Sequence, residues 1–217
     1  MNFTHLIVSR INIRWTEHSK DEKWLNNRKT ILNNTLRASI QAQTNKNFKF
    51  VTLWGYEPEG MIENEYTIKT EEVGLENIFN DIVPELYKLI DEDYVLVTRI
   101  DSDNCLSDDF VDILQKNIIE EAPYYYDIKK MNIFNLLTNE KRIWNVSKTS
   151  GFISVMEKKE DFICIPYKYN HSKLGEVYSG VVIDDLKVLL NVHEDNVKVK
   201  MIGIPANYDI DKFNLKL

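Results

Sequence analysis

Three segments of this chain, "FTHLIVSR" (3–10), "FKFVTLW" (48–54) and "DYVLVTRI" (93–100), are nearly unbroken runs of branched and aromatic side chains. Strands read this way when both of their faces are covered, as in a parallel sheet. The sequence between them has helical spacing. In "WLNNRKTILNNTLRASIQAQ", Trp24, Leu25, Ile31, Leu32, Leu36 and Ile40 fall near one helix face. "LENIFNDIVPELYKLI" is also helical, with Pro84 expected to break it or to start a new helix. "EYTIKT" is a further candidate strand, and "SDDFVDILQKNI" a helix with Ser107 as its N-cap. Strand and helix therefore alternate up to about residue 120, which predicts an α/β fold with a mostly parallel sheet.

The later sequence changes character. "YYYDI", "NIFNLL", "KRIWNV", "GFISVME" and "FICIPY" are expected as short strands extending the same sheet in antiparallel fashion. "VVIDDLKVLLNV" is expected as a last helix and "VKVKMIGI" as a last strand. A chain of 217 residues can bury a sizeable core, and 7 Gly and 5 Pro leave little for linkers, so 1–217 is read as one domain.

Charge narrows the partners. The net charge is -7 and no dense Lys/Arg run occurs, so no long nucleic acid is expected. No stretch approaches the ~20 apolar residues of a membrane span, and the first apolar run is too short for a signal peptide. Stable membrane insertion is not expected. Cys105 and Cys164 are too far apart for a zinc cluster or a disulfide framework. The expectation is a reduced, cytoplasmic protein.

The third apolar strand ends in Asp101-Ser102-Asp103. In an open α/β sheet, ligands bind beyond the carboxyl ends of the strands. On extended backbone Asp101 and Asp103 point the same way and could share one ligand. Two close carboxylates repel unless a cation lies between them. Mg²⁺ or Mn²⁺, held by carboxylates and substrate phosphates, would serve and would neutralise a departing diphosphate.

The motif and its surroundings resemble a known family. "VTRIDSDNCLSDDFVD" looks like the metal-binding segment of GT-A glycosyltransferases and is similar to that of a bacterial rhamnosyltransferase family. "SRINIRW", the "WLNNRKTILNNTLRASIQAQTNKNFKFVTLW" pattern, "TSGFISVME" and "NHSKLGE" match that family's order over roughly three-quarters of the chain. The resemblance implies a Rossmann-like GT-A domain with one mixed β-sheet flanked by helices. Residues 1–120 would bind the nucleotide sugar and 121–217 a glycan or small-molecule acceptor. The implied reaction is metal-dependent transfer of a sugar to an acceptor hydroxyl. Asp101 and Asp103 would bind Mn²⁺ or Mg²⁺, with His171 as a third ligand. Relatives often carry a His near the C-terminus, whereas "MIGIPANYD" here has Asn207 and no His. Glu157, closing "GFISVME", is the general base the family pattern offers beside Asp103, with Asp127 as the alternative.

A donor diphosphate also needs cations, and Arg suits it through its planar fork. Arg10 comes just after the first strand, Arg28 sits on the first helix and Arg99 lies two residues before Asp101. Ser9, Asn12 and Ser102 complete the expected donor contacts. Three other readings stay open. One is a haloacid-dehalogenase-like phosphatase, with "RIDSDNCL" as nucleophile motif and Asp184 and Asp185 as the later acidic pair. The others are a nucleotidyltransferase and a degenerate, non-catalytic carbohydrate-binding GT-A domain.

Overall fold

The structure, a computed structural model, describes residues 1–11, 21–55, 60–70, 75–194 and 201–216. The expected α/β alternation is present in the first half. Strand β1 (Thr4–Arg10) pairs in parallel with both β2 (Lys49–Trp54) and β4 (Tyr94–Asp101), and β3 (Glu65–Lys69) joins β2, also in parallel. Between β1 and β2 runs one long helical stretch. Asp21 accepts from the Lys23 and Trp24 N–H groups and caps α1 (Glu22–Leu32). A π-helical turn, Asn33–Arg37, leads from α1 into α2 (Ala38–Ala42). The wider turn rotates α2 relative to the face that α1 presents.

Side-chain alternation on β4 divides the core. Leu96 and Ile100 face Leu32, Leu36 and Ile40 of the long helix. Val95 and Val97 face Ile82 and Leu86 of α3 (Leu75–Tyr87), on the other side of the sheet. Pro84 stands inside α3, which runs through it without a break. Ser107 does not cap the next helix. Cys105–Leu106 forms a two-residue strand, β5, and α4 (Phe110–Lys116) starts after Asp109.

The second half departs further from expectation. Among the described residues, β6 (Tyr124–Asp127), β9 (Ser154–Lys158) and β10 (Gly180–Val182) extend the first sheet, in the order β10-β6-β9-β4-β1-β2-β3. β7 (Lys130–Asn135), β8 (Lys141–Asn145), β11 (Val188–Val192) and β12 (Ile204–Pro205) build a separate five-stranded sheet with β5, ordered β12-β8-β7-β11-β5. The single mixed sheet expected from the sequence is thus two. "FICIPY" is not a strand: it leads into the short helix α5 (Ile165–Lys168). "VVIDDLKVLLNV" is not a helix but β10, a turn and β11. Four of the residues expected in a last strand, 197–200, lie outside the described residues.

A buried polar chain crosses the sheet between β1, β4 and β9. Gln115 Nε2 donates to His5 Nδ1 (3.1 Å), so His5 Nε2–H donates to Thr98 Oγ1 (2.8 Å), which lies 2.7 Å from Ser154 Oγ. Burial pushes the His5 pKa down from 6.5 to about 3. Between those values the unfolded chain holds a proton that the folded chain lacks. The contribution of His5 is therefore complete above pH 6.5 and is lost as pH falls toward 3, at about 1.4 kcal/mol per pH unit. Urea unfolding at pH 7 and pH 5 should show the wild type losing roughly 2 kcal/mol more than His5→Gln. Equal losses would contradict this assignment.

Candidate functional site

β4 ends in a turn rather than in continued extension. The Asn104 N–H donates to the Asp101 carbonyl (3.2 Å), and Ser102 and Asp103 form the bend. The bend carries the chain from the first sheet into β5 of the second. Asp101 and Asp103 therefore do not share the orientation that extended backbone would give them, and each has its own partners.

Asp101 stays on the α3 side of β4, in phase with Val97 and Arg99. Its carboxylate is half exposed (51%), with Arg10 Nη2 3.4 Å away. Arg10 comes from β1, whose register pairs it with Asp101. Arg10 and Arg99 both lie against the ring of Tyr167, at 5.6 and 5.3 Å. Tyr167 is fixed by a 2.6 Å hydrogen bond from its hydroxyl to the Val8 carbonyl. Arg99 reaches the Pro166 carbonyl at 3.4 Å, while its buried Nε has no hydrogen-bond partner among the described residues. His171 is half-buried on this side. Burial and Arg99 lower its pKa, against the opposing charges of Asp101 and Asp127.

Asp103 sits in a tighter cluster. Arg28 Nη1 donates to its Oδ2 (3.1 Å), and His193 Nε2 lies 3.3 Å from the same oxygen. Arg28 Nη1 and His193 Nε2 are 3.4 Å apart, so the three atoms form a nearly equilateral triangle. Arg28 Nη2 also donates to Ser102 Oγ (3.1 Å), and its guanidinium lies 5.6 Å from the Trp24 ring centroid. Burial raises the Asp103 pKa, but the hydrogen bond from His193 and the charges of Arg28 and His193 outweigh it and hold it below the usual value.

Asn191 fixes the approach of His193. Its amide donates to the Asp103 carbonyl (2.7 Å), and its backbone N–H donates to Asn104 Oδ1 (3.0 Å). β11 thereby ends beside the turn and delivers His193 next to Asp103. Sequence reasoning missed His193 because it read "VVIDDLKVLLNV" as a helix. The signal was there: a buried strand running into a polar residue, the same pattern that marks Asp101 at the end of β4.

The expected donor and catalytic residues divide by position. Arg10, Arg28, Arg99, Asp101, Ser102 and Asp103 gather around the carboxyl end of β4. Ser9 is fully buried, and its Oγ has no hydrogen-bond partner among the described residues. Asn12 lies outside the described residues. Glu157 is elsewhere. It pairs with Val95, six residues before Asp101 on β4 and so about 20 Å back along the strand. Its carboxylate accepts the N–H groups of Ile163 (3.0 Å) and Ile165 (2.8 Å), and burial pushes its pKa up to about 7. Asp127, in contrast, closes β6 at the same sheet edge as Asp101. It accepts from the Ile128 and Ser150 N–H groups, with Lys129 Nζ 2.7 Å from Oδ2 but off a hydrogen-bond direction.

The residues of the alternative phosphatase reading are not brought together. Asp184 and Asp185 lie in the turn that precedes β11, at the end of that strand remote from His193. Cys105 is buried, and its thiol is pushed up to about 12.

Among the described residues, no three His, Cys, Asp or Glu side chains converge on one metal position. The expected trio of Asp101, Asp103 and His171 is thus not gathered. Asp103 and His193 do come close enough together to be two neighbouring ligands of one ion. Two neighbouring ligands of an octahedral ion, each ~2.1 Å from it, stand about 3.0 Å apart. The observed separation is 3.3 Å. A carboxylate oxygen suits Mg²⁺ or Mn²⁺, and the imidazole nitrogen shifts the preference of the pair away from Mg²⁺ and toward Mn²⁺.

No family model matches this chain, and no curated protein matches it. Solved structures do match in part. Staphylococcus aureus TarS superposes with a TM-score of 0.48 at 11% identity, over 87% of this chain and 37% of that one. A structure of S. aureus TarS 1-349 in complex with UDP gives 0.49 and 11%, over 87% and 60%. The 2-C-methyl-D-erythritol 4-phosphate cytidylyltransferase of Francisella tularensis gives 0.45 and 14%, over 91% and 94%. This chain spans 37% and 60% of the two TarS structures. All three scores are below 0.5, and the functional reading rests on the side chains. Among the described residues, no helix is long and apolar enough to cross a membrane.

Proposed function

We propose that this chain is a glycosyltransferase of GT-A type, moving a sugar from a nucleotide-sugar donor to an acceptor hydroxyl. The observation that carries this reading is the cluster of Arg28, Asp103 and His193 beside Arg10 and Asp101, at the carboxyl end of β4. Carboxylates aimed past the central strands of an α/β sheet, with arginines on either side, suit a phosphorylated ligand with hydroxyls to bind. The half-exposed Asp101 would accept hydrogen bonds from ribose or sugar hydroxyls. Arg10 and Arg28 would take the diphosphate oxygens through charge-assisted hydrogen bonds.

Asp103 and His193 would hold a Mn²⁺ or Mg²⁺ ion, with diphosphate and water completing its shell. When bound, the ion supplies Lewis-acid neutralisation of the leaving diphosphate. The acceptor proton needs a base on the same sheet edge. Asp127 lies on that edge and Glu157 does not, so Asp127 takes the role in this reading.

The test is a thermal-shift panel of nucleoside diphosphates and nucleotide sugars, each with Mn²⁺, Mg²⁺ or EDTA. The expected result is metal-dependent stabilisation of the wild type by one nucleotide, about 2.7 kcal/mol at a hundred times its Kd, and none in Asp103→Ala. No shift with any nucleotide, in any metal, would overturn the reading.

A further inference from the structure

Arg28 occupies a position that a divalent ion would contest. Its Nη1 is 3.1 Å from Asp103 Oδ2 and 3.4 Å from His193 Nε2, the two atoms whose 3.3 Å spacing suits one ion. All three side chains are largely enclosed, at 15% exposure for Arg28, 13% for Asp103 and 6% for His193. In such surroundings two cations on one carboxylate oxygen repel strongly and are poorly screened. An ion entering alone must push the guanidinium away from the Asp103 carboxylate and from Ser102 Oγ.

A diphosphate changes that balance. Its oxygens match the fork of the guanidinium and give Arg28 a new partner as the ion takes the old one. Binding of ion and nucleotide then becomes mutually reinforcing, since each removes the cost the other faces. Arg28 is suited to such a move. It lies on the solid body of α1 but reaches the cluster through a flexible stem, and the Trp24 ring lies against its guanidinium.

We infer that Arg28 is a resident cation, paired with the Asp103 oxygen that His193 also approaches in the free protein, and giving way to a divalent ion when a nucleoside diphosphate arrives. This rests on the donor-site reading. It assigns Arg28 two jobs: to disfavour loading of metal alone, and to clamp the diphosphate afterwards.

The experiment measures Mn²⁺ binding from its free paramagnetic resonance signal, with and without uridine diphosphate. The proteins are the wild type, Arg28→Met, Arg28→Gln and Asp103→Asn. Alone, Mn²⁺ should bind the Arg28 variants at least tenfold more tightly than the wild type. Uridine diphosphate should tighten Mn²⁺ on the wild type at least tenfold and on the Arg28 variants much less. Asp103→Asn should bind no Mn²⁺ at this site. The two Arg28 variants differ in polarity, so a folding defect in one leaves the other to report.

Equal Mn²⁺ affinity in wild type and both variants would overturn the inference. If uridine diphosphate still binds the wild type in that case, the donor reading stands without it. Mn²⁺ binding by none of the proteins would also overturn it. Where uridine diphosphate has no effect, the other nucleoside diphosphates of the thermal-shift panel replace it, and failure of the wild type to bind any of them would instead overturn the donor reading and the diphosphate half of the inference. The Mn²⁺ arm would still decide whether Arg28 and the ion compete.

Discussion

Glu65→Ala is expected to lower the unfolding free energy by about 3–5 kcal/mol, the usual cost of stranding one charge of a buried pair. For a chain of this size that is a drop in Tm of roughly 10 °C. Arg37 meets Glu65 through both ends of its fork, Nε to Oε2 at 2.9 Å and Nη2 to Oε1 at 2.8 Å. The side chains are 2% and 0% exposed. Glu65 also accepts from Thr52 Oγ1 (2.7 Å) and the Ile62 N–H (3.1 Å), and Arg37 donates from Nη1 to Asn33 Oδ1 (2.8 Å). Its guanidinium lies 5.7 Å from the Trp54 ring centroid. Removing the carboxylate takes from the buried Arg37 guanidinium its bidentate acceptor and from the Ile62 N–H its side-chain acceptor. Denaturant unfolding of Glu65→Ala and of the double variant Arg37→Met/Glu65→Leu separates the causes. A loss confined to the single variant assigns it to the stranded charge. An equal loss in both would assign it to Thr52, Ile62 and packing.

The second large effect concerns the histidines. His193→Ala is expected to weaken metal-dependent nucleotide binding by about 100-fold, close to 2.7 kcal/mol. His171→Ala should change it by only a few fold, because the charges that act on His171 are those of Arg99, Asp101, Asp127 and Arg10 and not that of Asp103. Titration calorimetry of one nucleoside diphosphate with Mn²⁺ against the two variants decides the matter. The reverse order, with His171 the costly loss, would restore the ligand set that the resemblance implies and remove His193 from the site.

The parallel half of the fold was legible because β1, β2 and β4 are buried on both faces and its helices repeat at 3.6 residues. β1, β2, β3 and β4 all stand where their residues put them. The second half was not, for a physical reason. Short strands such as β10 and β11 carry too few residues to show a period. Asp184, Asp185 and Lys187 between them supply the polar spacing of a helix. Sequence also cannot say to which sheet a strand belongs, so the strands of the second sheet read as an extension of the first. At the site, Asp101, Asp103, Arg10 and Arg28 were found from strand ends and unexplained charge. Asp103's partner His193 was hidden by the misread helix, and Glu157 was chosen by resemblance although β9 runs antiparallel to β4 and sends it to the far edge. The Arg37–Glu65 pair escaped notice because only tertiary contact brings the two together.

The turn at Ser102–Asp103 also has a consequence for folding. It is where the chain leaves one sheet for the other, and its contacts span the sequence: 75 residues from Arg28 to Asp103 and 90 from Asp103 to His193. Links of such high contact order close late, after the loop entropy of both halves has been met. The cluster therefore exists only once the two sheets have docked, and local opening of either one dissolves it. A ligand seated there would work as a clasp between the sheets, its binding energy felt as cooperativity of the whole chain rather than as stiffness of one loop.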